Sequence, residues 1–153
     1  MIAEAAGEGI SILNITKEIE IAAPVEIAWA ATLAELGPEN EMPDGTKFQM
    51  VFEAWPGGRW FRDLGNGAGH LWGHVQVIKP TTLIEIRGPL FMSYPAVNFM
   101  QYRFAPEGAG TKLKLLHRAM GLIPEEHKTG VHAGWTHWME RIRMLAETRY
   151  GTR

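Results

Sequence analysis

The side chains that could carry chemistry are few, and each can be tested against the geometry its spacing allows. Six histidines and no cysteine leave imidazole and carboxylate as the metal ligands to consider. His70 and His74 share one face of an extended segment but sit roughly 13 Å apart, too far to hold one ion. His132 and His137 are five residues apart on a helical segment and point about 140° away from each other. His127 and His132 have the same spacing, and no HExxH motif is present. No metal and no cofactor is therefore expected. Ser11 and Ser93 are the two serines, and neither sits in a GxSxG elbow. Without cysteine there is no thiolate nucleophile, and serine hydrolysis is not expected. The glycine-rich stretch 65–69 lacks the Lys-Ser/Thr of a phosphate cradle and lies between two extended runs, so it reads as a hairpin loop.

Three polar residues remain. His117 shares a strand face with Leu113 and Leu115, while Lys112 and Lys114 take the other. The alternation points its imidazole inward. It reads either as a core histidine with a hydrogen-bond partner or as a polar anchor in a cavity wall. Imidazole can act as a base near neutrality, but no nucleophile here has a context that asks for one. No catalytic residue is assigned. Arg62 alternates with Trp60 and Leu64. It reads as an edge arginine reaching water or as a cation for a carboxylate or phenolate head group. Tyr102 shares a face with Met100 and Phe104, and its hydroxyl needs a partner if buried.

These residues must be placed by strands and two helices. After Ile10, Ile15, Ile19 and Ile21 alternate with Thr16, Glu18 and Glu20, the period of a half-buried strand. Pro24 opens a short helix, with Val25, Trp29, Leu33 and Leu36 on one face, and Gly37-Pro38 ends it. Six strands are predicted over 48–55, 59–64, 70–79, 82–87, 98–104 and 111–118, separated by Gly/Pro turns. Residues 89–96 form an irregular segment holding Phe91, Met92 and Tyr94. A helix over 128–150 carries Val131, Trp135, Trp138, Ile142 and Leu145 on one stripe. Residues 1–9 read as a frayed terminus, and 10–153 as one domain. The order strand, helix, six strands, helix gives an α+β fold: a curved antiparallel sheet of six to seven strands gripping a long C-terminal helix.

Composition narrows the function classes. The chain has 153 residues and a net charge of −2, with both signs dispersed and no basic patch to suggest nucleic acid. No apolar run approaches a membrane span, and the first residues lack a signal-peptide pattern. A cytoplasmic protein is expected. Six Trp and eight Met suit either a heavy core or a cavity lined by large, adaptable side chains. Trp72 shares a face with His70 and His74 and is expected on the outer side of the sheet, where it would mark a homodimer interface.

Five local motifs resemble those of the START-like (SRPBCC, helix-grip, Bet v 1-like) superfamily, in the branch related to the activator of the heat-shock-protein-90 ATPase. They are Ala22-Ala23-Pro24-Val25-Glu26-Ile27-Ala28-Trp29 at the strand-to-helix junction, Pro56-Gly57-Gly58-Arg59-Trp60 at a hairpin, Gly73 to Pro80 as a strand with its proline stop, Gly110 to His117 as the last strand, and Gly134-Trp135 near the start of the long helix. The resemblance covers residues 15 to 148 and implies the helix-grip fold. It implies function only broadly, because the superfamily holds lipid carriers, polyketide cyclases, hormone receptors and co-chaperone domains.

The expected function is binding of a small hydrophobic or amphipathic ligand between sheet and C-terminal helix. The expected walls are Trp60, Arg62, Val75, Ile86, Met100, Tyr102, Leu115, His117, Trp135 and Met139. Two alternatives stand beside it: a cyclase or aromatase acting in the same cavity, and a co-chaperone-like interaction module.

Overall fold

Alternation in the first apolar run does what its period requires. In a computed structural model describing residues 9–152, Ser11–Ile21 form β1, with Leu13, Ile15 and Ile21 buried and Asn14, Thr16, Glu18 and Glu20 exposed. The expected frayed terminus lies, apart from Gly9, outside the described residues. Pro24 then caps α1 (Val25–Leu36), which has Glu26 in its first turn, where the helix dipole favours a carboxylate.

The expected α1 stripe is partly displaced. Trp29 and Leu36 are buried, but Val25 and Leu33 are only half-buried, while Ala28, Ala31, Thr32 and Glu35 lie fully inside. The reason is that α1 packs against the second helix as well as β6 and β7, so more than one face is covered. Thr32 is accommodated by a hydrogen bond from its hydroxyl to the Ala28 carbonyl, 2.8 Å.

The remaining elements are β2 (Val51–Phe52), β3 (Arg59–Gly65), β4 (Ala68–Lys79), β5 (Leu83–Gly88), β6 (Ala96–Glu107), β7 (Gly110–Gly121) and α2 (Glu125–Gly151). The seven strands form one antiparallel sheet in the order β1-β7-β6-β5-β4-β3-β2. Chain order and α+β class match the expectation. The inward face of the sheet presents Ile15, Leu113, Leu115, Met100, Ile84 and Ile86 to Trp135, Met139, Ile142 and Ala146 of α2. Each such large apolar side chain contributes roughly 1.5–3 kcal/mol by leaving water. No helix among the described residues is long and apolar enough to cross a membrane.

Two strand expectations change. The strand expected over 48–55 shrinks to Val51–Phe52 because its flanks are bonded elsewhere. Phe48 N–H donates to the Asn40 carbonyl at 2.9 Å, Met50 N–H to the Gly37 carbonyl at 3.0 Å, and Glu53 is held by Arg59. Trp72 is the larger correction. It is buried, not on the outer surface, because the β3–β4 register jumps from Trp60↔Gly73 to Phe61↔Leu71 and leaves Trp72 as the extra residue of a bulge. A bulge breaks the period of two, so Trp72 and Val75 both face inward. Trp72 therefore offers no outward surface for the expected homodimer.

Candidate ligand-binding site

The bulge that turns Trp72 inward also builds a cavity. Leu90 N–H donates to the Trp72 carbonyl at 2.7 Å, which folds residues 89–94 against β4. That close approach needs glycine at 88: a Cβ there would meet Gly73 Cα at 2.5 Å and the Trp72 carbonyl oxygen at 2.6 Å. Between this segment, β3–β4, residues 42–48 and the first half of α2 lies a cavity of about 680 Å³, within the range of small-molecule sites.

Its walls are chiefly rings. Trp72, Phe91, Trp135 and Trp138 stand at centroid separations of 5.4 to 6.1 Å, mostly edge to face, with Phe48, Met42, Leu90 and Met92 around them. The polar atoms of the helix indoles are already bound elsewhere. Trp138 Nε1 donates to the Glu41 carbonyl at 3.3 Å, and Trp135 Nε1 donates to His117 Nδ1 at 2.9 Å. Both residues therefore turn apolar surface to the cavity.

His117 is fully buried behind this wall and does not line the cavity. Because Nδ1 accepts from Trp135, the proton sits on Nε2 and is donated to Asn98 Oδ1 at 2.7 Å. Asn98 Nδ2 in turn donates to the Pro89 carbonyl at 3.1 Å. The relay ties α2, β7, β6 and the 89–94 segment together. Burial holds the imidazole down at about 4, so it is neutral near pH 7.

Polar groups gather at the cavity's edges. Tyr94 and His127 meet at 2.9 Å, hydroxyl to Nδ1, joining the 89–94 segment to α2. Burial and then the Glu126 charge push the Tyr94 phenol up. Arg62 and His70 border the sheet side, with the guanidinium 3.9 Å from the Phe48 ring centroid. On α2, Gly130 and Gly134 face the cavity, and a Cβ added at either meets nothing within 4 Å.

Of the ten residues expected as walls, the structure brings Arg62 and Trp135 to the cavity. Trp60 is buried beneath, its Nε1 donating to the Leu36 carbonyl at 2.7 Å at the end of α1. Ile86, Met100, Tyr102 and Leu115 fill the core between sheet and helices, Val75 is buried on β4 without lining the cavity, and Met139 borders a smaller hollow beside β1. The separation follows from sheet length: inward positions near the middle are covered by helix, and open space begins where β3 and β4 run past it. The spacing of Glu126, Gly130 and Gly134 on one helical face was the available signal for the far wall. Nothing in the alternation of β4 marks the bulge.

Deeper in the core, Glu35 is fully buried, with Asn40 Nδ2 donating to its Oε2 at 2.9 Å. Burial pushes its carboxyl up to about 8, against the pull of Arg141. Among the described residues neither Glu35 Oε1 nor the Tyr102 hydroxyl has a hydrogen-bond partner. Burial, and then Glu35, pushes the Tyr102 phenol up.

A family profile described as Activator of Hsp90 ATPase homolog 1-like protein matches residues 22–147. The chain belongs to that family. The match begins at the β1–α1 junction and ends in α2, so it takes in the whole cavity. Among functionally curated proteins, no sequence matches. Solved structures share the START-like, Bet v 1-like fold. Protein CV1439 from Chromobacterium violaceum superposes with a TM-score of 0.69 at 20% identity, over 88% of this chain and 96% of that one. The di-domain ARO/CYC StfQ from the steffimycin biosynthetic pathway gives 0.64 at 13% identity, over 98% of this chain and 54% of its own. Ara h 8.0201 gives 0.63 at 12% identity, over 90% and 99%. At these identities the likeness is one of fold.

Proposed function

We propose that this family member binds a small hydrophobic or amphipathic molecule in the cavity between the 89–94 segment, β3–β4 and the first half of α2. One observation carries this reading: a space of about 680 Å³ is walled chiefly by rings, the N–H groups of the two helix indoles Trp135 and Trp138 being engaged elsewhere, and it is kept open by two helix glycines that no neighbouring atom requires. Glycine inside a helix costs about 0.5–1 kcal/mol relative to alanine, so two on the cavity face favour room over stability. A closed interaction module, the reading closest to the family's name, has no use for that space.

Native mass spectrometry of gently purified protein, followed by denaturing extraction, tests the proposal. A co-purifying small molecule is expected on the folded wild type and absent from Gly134→Leu, whose side chain enters the cavity. The same adduct on both proteins would place the ligand elsewhere and sink the assignment.

A second reading, a cyclase or aromatase in the same cavity, draws on the Tyr94–His127 contact. A phenol kept protonated by its surroundings can donate a proton to a substrate oxygen. That reading requires turnover that disappears in Tyr94→Phe while binding persists.

A further inference from the structure

Arg62 and His70 are direct partners across β3 and β4. Directly opposed side chains start about 5 Å apart at Cβ, so a guanidinium and an imidazole share one spot on the sheet wall. Arg62 is held there: its guanidinium stacks over Phe48, and Nη1 donates to the Gln49 carbonyl at 3.1 Å. It has no carboxylate in ion-pair range among the described residues. The contrast with Arg59, three residues earlier on the same strand, is direct. Arg59 faces away from the cavity and is gripped by Glu53 through Nε at 2.9 Å and Nη2 at 2.8 Å. A guanidinium presents five donors in a fixed fork that matches a planar oxyanion, and most of that fork remains open on Arg62.

The helix wall has the opposite sign. Its carboxylate at the cavity is Glu126, in the first turn of α2. Glu126 offsets the positive end of the α2 dipole, so a ligand with one negative end is favoured less there than at β3–β4. Between the two ends run the bare backbone at Gly130 and Gly134 and the indole of Trp135.

We propose that the ligand is an acid, an amphipathic molecule whose single anionic group sits on Arg62 and His70 while its apolar body lies along the Gly130–Gly134 strip. This rests on the cavity being a binding site. His70 takes the role of second polar contact for which the alternation pattern had offered His117.

Two fluorescent probes separate the acid from the cavity. 8-Anilinonaphthalene-1-sulfonate and N-phenyl-1-naphthylamine share one ring system and differ by a sulfonate. Titrated into wild type, the sulfonate probe should bind about tenfold tighter than the neutral one, as expected for a charge-assisted contact at a half-buried site. Added salt should erode that advantage. Arg62→Gln should abolish the preference and leave the neutral probe within about twofold, and Gly134→Leu should weaken both at least tenfold. If Arg62→Gln does not fold, Arg62→Lys and His70→Ala replace it, and each should lower the preference at least threefold. Equal affinities in wild type, or a sulfonate preference that survives the Arg62 and His70 substitutions, would overturn the acid and leave the cavity reading intact. Binding of both probes that ignores Gly134→Leu, or no binding of either, would remove the cavity reading with it.

Discussion

His117 and Glu35 are buried titratable groups that their environments move in opposite directions, and they act on stability in opposite senses. The His117 imidazole titrates near 4 in the folded chain and near 6.5 unfolded. Between those values the unfolded state holds more protons, so stability falls as pH drops, by about 3 kcal/mol once pH 4 is reached. Glu35 is the reverse. Its folded value of about 8 lies above the unfolded one near 4.3, so the folded state holds the extra proton. That contribution is complete below pH 4 and is lost as pH rises through 8, on the order of 3–5 kcal/mol. From pH 4.5 to 6.5 the two slopes oppose each other; above 6.5 only the decline from Glu35 remains. Urea melts across pH 5 to 9 should show wild type weakening toward pH 8. Glu35→Gln should flatten that decline and be the more stable protein at pH 8. A wild-type profile level from pH 6.5 to 8.5 would show that Glu35 ionises freely in the folded chain.

The α2 helix and the β4–β5 pair carry glycines for different reasons, and substitution separates them. Gly134 of α2 has open space where a methyl would go, so Gly134→Ala should stabilise the fold by roughly 0.5–1 kcal/mol through helix propensity. Gly88 has φ 155, a backbone conformation costly for any side chain, and Gly73 lies within 2.5 Å of where its Cβ would stand. Gly88→Ala should therefore destabilise by about 2–4 kcal/mol and release the 89–94 segment that covers Trp72. Thermal melts by circular dichroism read both. A loss of stability in Gly134→Ala would mean that the cavity face of α2 is packed more closely than it stands here.

For the molecule as a whole, the cavity makes stability depend on its occupant. A ligand that binds only the folded state raises stability by about 2.7 kcal/mol at one hundred times its dissociation constant. Saturating 8-anilinonaphthalene-1-sulfonate should raise the melting temperature of wild type by several degrees and leave Gly134→Leu unmoved. An equal rise in both proteins would place the probe on an outer surface.

The sequence by itself determined what depends on local period and turn chemistry. Alternation in 11–21 and 111–118 placed β1 and β7 and pointed His117 inward. Pro24, Gly37 and Pro80 bounded elements where a fixed φ or a missing donor stops them, and the 131–145 stripe defined the face of the long helix. Tertiary structure decided everything that depends on a count being broken or on two distant segments meeting. One extra residue in β4 reversed Trp72. Hydrogen bonds from Phe48 and Met50 into the 37–40 loop cut β2 to two residues. The far wall of the cavity comes from the first turns of α2 and its roof from 89–94, segments joined where Tyr94 reaches His127 and Phe91 packs on Trp135 and Trp138, while Asn98 ties Pro89 to β6. Eight of the ten expected wall residues face inward but stop in the core, since alternation reports which side of a sheet a residue takes and carries nothing about whether a helix or open space lies opposite.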